Sequence, residues 1–152
     1  MSGVRTWWMV SAVIGIVAFS VVPTHVAARS FAWSLTCDGG GSVGMGWSWT
    51  QGGVPILGEG GTPTCNTSGG GTRPASADGF TGVLSIQLCG DVFGKVNCNS
   101  QTQSVTKSFD PANAFKTTLK VSVSGVKDMN PCFDCKQRFV TRSASAQFDI
   151  SS

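Results

Sequence analysis

The chain has no tyrosine, one histidine (His25) and one glutamate (Glu59) in 152 residues, and only 12% of its residues are charged. His25 falls in the segment read below as a leader, so the rest of the chain offers neither imidazole nor phenol. A Ser-His-Asp or Cys-His nucleophile is thereby excluded within one working chain. Carboxylate pairs of the glycosidase kind remain formally open. However, Asp38, Asp78, Asp91, Asp110, Asp128, Asp134 and Asp149 stand mostly beside glycine, proline or other turn residues. Turn aspartates ordinarily hydrogen-bond nearby backbone, and no enzyme is expected. Phosphate-binding glycine loops, calcium loops and dinucleotide fingerprints are missing as well, so no cofactor is expected. The net charge is +3 and the basic residues do not cluster, which argues against a nucleic-acid partner. No stretch shows a sustained helical period or an internal repeat.

What is present begins with a leader-like segment. Arg5 supplies a positive charge, Trp7 to Val22 run almost wholly apolar, and Pro23-Thr24-His25 breaks the run. Val26 and Ala28 fit the small-residue positions before a cleavage at Arg29. That order describes a secretory signal peptide over residues 1–28. The competing reading is a membrane anchor, but the apolar run falls slightly short of the roughly 20 residues a spanning helix needs. Residues 29–152 then form one secreted domain, extracellular or at the cell surface, with no membrane contact once the leader is removed.

The remainder alternates as β-strands do. Phe31 to Cys37 places Phe31, Trp33, Leu35 and Cys37 on one face. Val43 to Thr50 places Met45, Trp47 and Trp49 together, and Gln51-Gly52-Gly53 turns the chain. Val54 to Leu57 reads as an edge strand, because Pro55 cannot donate to a central ladder. Gly58 to Gly79 reads as one long glycine-rich loop carrying Cys65, with a formal N-glycosylation acceptor at Asn66-Thr67-Ser68. Phe80 to Cys89 is a strand with Leu84, Ile86 and Leu88 on one side, and Gly90 to Gly94 a turn. Strands follow near Lys95 to Asn99, Gln101 to Phe109, Phe115 to Ser124 and Gln137 to Ile150. Gly125 to Cys135 reads as a second loop, and a bulge is expected near Arg142. The fold class is therefore all-β: a disulfide-stabilised antiparallel β-sandwich of about seven strands after an N-terminal signal helix, with an open barrel as the alternative.

Cys37, Cys65, Cys89, Cys98, Cys132 and Cys135 all follow residue 28. An even count in a secreted chain implies three disulfides, and a nearest-neighbour set pairs Cys37–Cys65, Cys89–Cys98 and Cys132–Cys135. Cys132-Phe133-Asp134-Cys135 also has redox spacing, which keeps thiol–disulfide exchange as an outside reading. Asp134 opposes the lowered thiol pKa such a site needs. A zinc site would have to borrow Cys89 and Cys98 as further ligands, and no metal is expected.

Cys37, Trp49 and Cys98 are spaced much like the cysteine, tryptophan and cysteine of immunoglobulin domains. That resemblance implies an immunoglobulin-like general architecture and a rival Cys37–Cys98 bridge. The tyrosine usual near the second cysteine is missing, and residues 125–152 have no counterpart.

The tryptophans carry the sharpest functional expectation. Trp47 and Trp49 on one strand face would form two flat platforms suited to stacking on sugar rings, with Gln51 and Asp38 as polar neighbours. The opposing reading packs the same rings into the core, and Ser48 on the other face favours it. The sequence thus suggests a non-catalytic binding or structural domain that recognises carbohydrate. The alternative is an extracellular protein-binding or inhibitory module that uses the 58–79 stretch.

Overall fold

The computed structural model describes residues 26–129 and 138–152. The leader up to His25 and the Cys132/Cys135 pair lie outside the described residues. Eight strands run in chain order: β1 (Arg29–Asp38), β2 (Ser42–Gln51), β3 (Val54–Gly61), β4 (Thr67–Arg73), β5 (Gly79–Val92), β6 (Lys95–Ser108), β7 (Lys116–Met129) and β8 (Phe139–Ser151). They form two antiparallel four-stranded sheets, ordered β4-β1-β8-β7 and β3-β2-β5-β6.

Alternation decides what each strand buries. Phe31, Trp33 and Leu35 of β1, Val43 to Trp49 at odd positions of β2, and Leu84, Ile86 and Leu88 of β5 point inward. Leu119, Val121 and Val123 of β7 meet them from the other sheet, with Ala144, Ala146, Phe148 and Ile150 of β8. A fully buried large apolar side chain contributes about 1.5–3 kcal/mol, so these five strands supply most of the hydrophobic stabilisation. By contrast β3 is exposed at every residue and β6 buries none fully; both hold on by ladder hydrogen bonds.

Trp49 is the hub of the aromatic packing. Phe31, Phe80, Phe109 and Phe115 meet its ring edge-on at centroid distances of 5.6, 5.2, 5.8 and 5.3 Å. Such edge-to-face contacts add to area burial, because ring edges and faces carry opposite partial charge. Beside this cluster the buried Arg73 guanidinium stands 4.9 Å from the Phe109 centroid. Its donors reach the carbonyls of Pro111 (2.6 Å) and Asn113 (3.1 Å) and the Ser152 hydroxyl (2.8 Å). Burial, and then the charge of Arg29, pull its pKa below the ordinary arginine value.

Several sequence expectations are corrected. The 58–79 stretch is not one long loop: β3 runs on to Gly61 and β4 occupies Thr67–Arg73. Glycine is abundant in β4 because aromatic rings lie directly against it, not because the chain is irregular. A Cβ on Gly71 would meet the Phe31 ring at 3.2 Å. The expected strands around Lys95 and Gln103 are one continuous β6, and the 90–94 turn shrinks to Phe93-Gly94. The start of the expected 125–135 loop belongs to β7. The irregularity expected near Arg142 falls on the facing strand, where the register shifts between Val123 and Val126 around Gly125 at φ 77°.

The described disulfides are Cys37–Cys65 and Cys89–Cys98. This corrects the Cys37–Cys98 pairing that the immunoglobulin-like spacing implied, since Cys98 stands directly opposite Cys89 in the β5–β6 ladder.

Candidate functional site

A sandwich of two open sheets has four edge strands, and their free N–H and C=O groups must find partners or meet water. Here the two sides of the molecule are treated differently. Where β6 and β7 meet, amide side chains at alternate positions of β6 close the gap. Asn97 accepts from the Lys127 N–H (3.0 Å) and donates to the Lys127 carbonyl (2.7 Å). Asn99 donates to the Ser124 carbonyl (2.7 Å), while Gln101 and Gln103 accept from the N–H groups of Ser122 (2.5 Å) and Lys120 (2.6 Å). The two-residue spacing puts all four amides on one side of the strand. They stand in for a missing neighbour strand.

On the other side, β3 and β4 have no such seal. A groove of about 670 Å³ lies between them, floored by Phe31, Trp33 and Trp47 and walled by residues 57–59 of β3 and 67–72 of β4. The outer strands pair only inward, β3 with β2 and β4 with β1. Val54, Ile56 and Leu57 of β3 are exposed apolar residues. The Trp47 indole N–H is buried and has no acceptor among the described residues.

Trp47, Trp49, Gln51 and Asp38, the residues expected to bind ligand, do not converge. Trp49 is 0% exposed and Trp47 is 6% exposed. The surface tryptophan platform is therefore corrected: the shared face of β2 turns toward Phe31 and the opposite sheet. Gln51 is exposed at the β2–β3 turn, and Asp38 ends β1 at the far end of β2. Asp38 borders a separate depression of about 480 Å³ that Lys120 and Gln147 also line. Of the four, only Trp47 belongs to the groove. Trp33 and Phe31, strand neighbours of the β4 glycines, complete its floor. The sequence puts both on one face of β1, but does not show that the sandwich opens above them.

Glu59 is the one carboxylate lining the groove. The shifted carboxylates are elsewhere. Asp128 is held below the usual range by the Asp91 N–H and then by the Arg142 guanidinium at 2.8 Å. Burial works against the charge of Asp149, but hydrogen bonds from Thr118 and Gln147 outweigh it and lower its pKa. Among the described residues no three His, Cys, Asp or Glu side chains come together to hold a metal ion. What the groove offers is apolar surface and free strand edges.

Comparisons with family models, curated proteins and solved structures return no match.

Proposed function

We propose that the protein is an extracellular, non-catalytic binding domain that takes up an extended polypeptide segment along the open β3/β4 side. The observation that carries this reading is the asymmetry of the edges. Four amides seal β6 against β7, while β3 keeps a wholly exposed strand with Ile56 and Leu57 beside an aromatic-floored groove. Unprotected edges with apolar residues invite pairing with another strand. An extended peptide matches their hydrogen-bond repeat and can place alternate side chains on the groove floor. The disulfides fit an oxidising compartment. An immunoglobulin-like architecture, with its binding surfaces at strand edges and ends, is the general class in which we place the fold. Carbohydrate stacking, the other expectation, needs flat exposed rings, and the buried indoles weaken its support.

The test is selection of peptides from a display library on the purified protein, followed by hydrogen exchange with and without a selected peptide. Added protection over residues 54–61 and 67–73, lost in Ile56→Lys and Leu57→Lys, is the expected result. Protection confined to other strands, or binding of polysaccharides in place of peptides, would overturn it.

A further inference from the structure

The end of the sandwich where the β5–β6 hairpin turns carries a second exposed apolar group, independent of the groove. Phe93 and Gly94 form the two-residue turn, both at positive φ (53° and 74°). Asn-Gly is the pair such turns favour. A phenylalanine in the left-handed region is strained, because its Cβ crowds the backbone. It is also 66% exposed, so neither the backbone nor the core accounts for it. Backbone strain kept at an exposed position is a mark of functional use.

The tip does not stand alone. Val96 is 69% exposed, Met129 45% and Phe139 41%, and Met129 pairs with Phe139 in the β7–β8 ladder. The Phe93 and Phe139 rings meet edge-on at 5.7 Å, joining the two hairpins into one apolar prominence. Lys95, Lys127 and Arg138 flank it and are exposed. Among the described residues no carboxylate pairs with any of the three. The nearby acids are held by local hydrogen bonds. Asp91 accepts from the Gly94 N–H at 2.7 Å, and Asp128 accepts from the N–H groups of Asp91 and Met129 and from Arg142.

The geometry points to an anionic lipid surface as the partner of this tip: Phe93, Val96, Met129 and Phe139 enter the interfacial layer while Lys95, Lys127 and Arg138 meet the headgroups. Exposed apolar side chains bordered by unpaired cations match the layering of an anionic bilayer interface, where apolar groups enter beneath charged headgroups. Cations on long apolar stems can reach headgroups beside a buried aromatic. Negative headgroups attract each such charge.

Co-sedimentation of the purified protein with phosphatidylcholine vesicles, with and without phosphatidylglycerol, tests it, every variant sharing the same N-terminus. The protein is expected to bind the anionic vesicles, and Lys95→Glu is expected to weaken that binding by at least about tenfold. Phe93→Asn should abolish most binding while leaving the melting temperature equal or higher, because asparagine suits the turn. Phe93→Trp should show a blue-shifted emission on adding anionic vesicles. Undiminished binding by Phe93→Asn would overturn the proposal. So would equal binding to neutral vesicles, or no vesicle binding alongside a protein partner lost in Phe93→Asn.

Discussion

Gly69 lies so close beneath Trp33 that a Cβ there would stand 2.7 Å from the indole Cε2 and Cζ2. The contact couples an edge strand to the core: β4 can lie against the Trp33 ring because Gly69 carries no side chain. Gly69→Ala forces the rigid indole or the strand to move, and overpacking of this kind costs about 1–3 kcal/mol. Urea denaturation should show that loss. By comparison Gly60→Ala on β3, whose Cβ would find its nearest atom at 3.4 Å, should change stability far less. Equal effects would mean that β4 is held by something other than ring contact.

The β6 amides make a second quantitative claim. Gln101→Ala and Gln103→Ala each remove the acceptor of a β7 backbone N–H. Each bond contributes about 0.5–1.5 kcal/mol net. The specific readout is amide exchange: the N–H of Ser122 should exchange faster in Gln101→Ala, and that of Lys120 in Gln103→Ala. The double variant should also self-associate at high concentration, because an unmasked edge can pair with another chain. Unchanged exchange at both amides would show that the seal is not protective.

These relationships explain which parts of the molecule can be read from residues alone. Leu84, Ile86 and Leu88 alternate with polar neighbours, and that period locates β5 without any tertiary knowledge. The same period puts Trp47 and Trp49 on one face, but which way the face turns depends on Phe31, Phe80 and Phe115 arriving from elsewhere. Glycine content misleads at β4, since Gly69 and Gly71 are strand residues made small by rings distant in sequence. Asp38 and Gln51 seem neighbours of the tryptophans along the chain, yet β2 carries them to opposite ends. The turn that carries Phe93 is legible from Gly90 to Gly94, but the groove and the meeting of Phe93 with Phe139 depend on strand order, which local pattern does not encode.

The two described disulfides should contribute unequally. Cys37–Cys65 spans 28 positions and Cys89–Cys98 spans 9. Loop-closure entropy gives about 3.6 kcal/mol for the first and about 2.7 for the second. The difference should widen in practice, because Cys89 and Cys98 already face each other in a paired ladder, whereas Cys37–Cys65 ties β1 to the segment leading into β4. Replacing Cys37 and Cys65 with serine should therefore lower stability more, and should speed exchange across residues 67–73 on the groove wall. Replacing Cys89 and Cys98 should leave that wall as protected as before.

Arg73 should tolerate lysine poorly despite the retained charge. Its planar guanidinium serves the Pro111 carbonyl, the Asn113 carbonyl and the Ser152 hydroxyl at once, and stacks over Phe109. An ammonium cannot reproduce that fork. Arg73→Ala removes three part-buried hydrogen bonds, and at about 1 kcal/mol for each the loss should be about 3 kcal/mol by urea denaturation. Arg73→Lys should fall between the alanine variant and the unmodified protein.

Acid should weaken the fold through Asp128 and Asp149. Both carboxyls sit below their ordinary range in the folded protein, Asp128 through the Asp91 N–H and Arg142, and Asp149 through Thr118 and Gln147, which outweigh its burial. A carboxyl whose folded pKa is depressed binds its proton more readily when unfolded. Its contribution is therefore complete above the unfolded value near pH 4 and is lost as pH falls through the lower folded value. Unfolding free energy measured against pH should thus be flat above about pH 5 and decline below about pH 4. In Asp128→Asn the curve should start lower at neutral pH, because Arg142 loses its partner, and decline less steeply in acid. An unchanged acid slope in that variant would remove Asp128 from the account and leave the loss to other carboxylates.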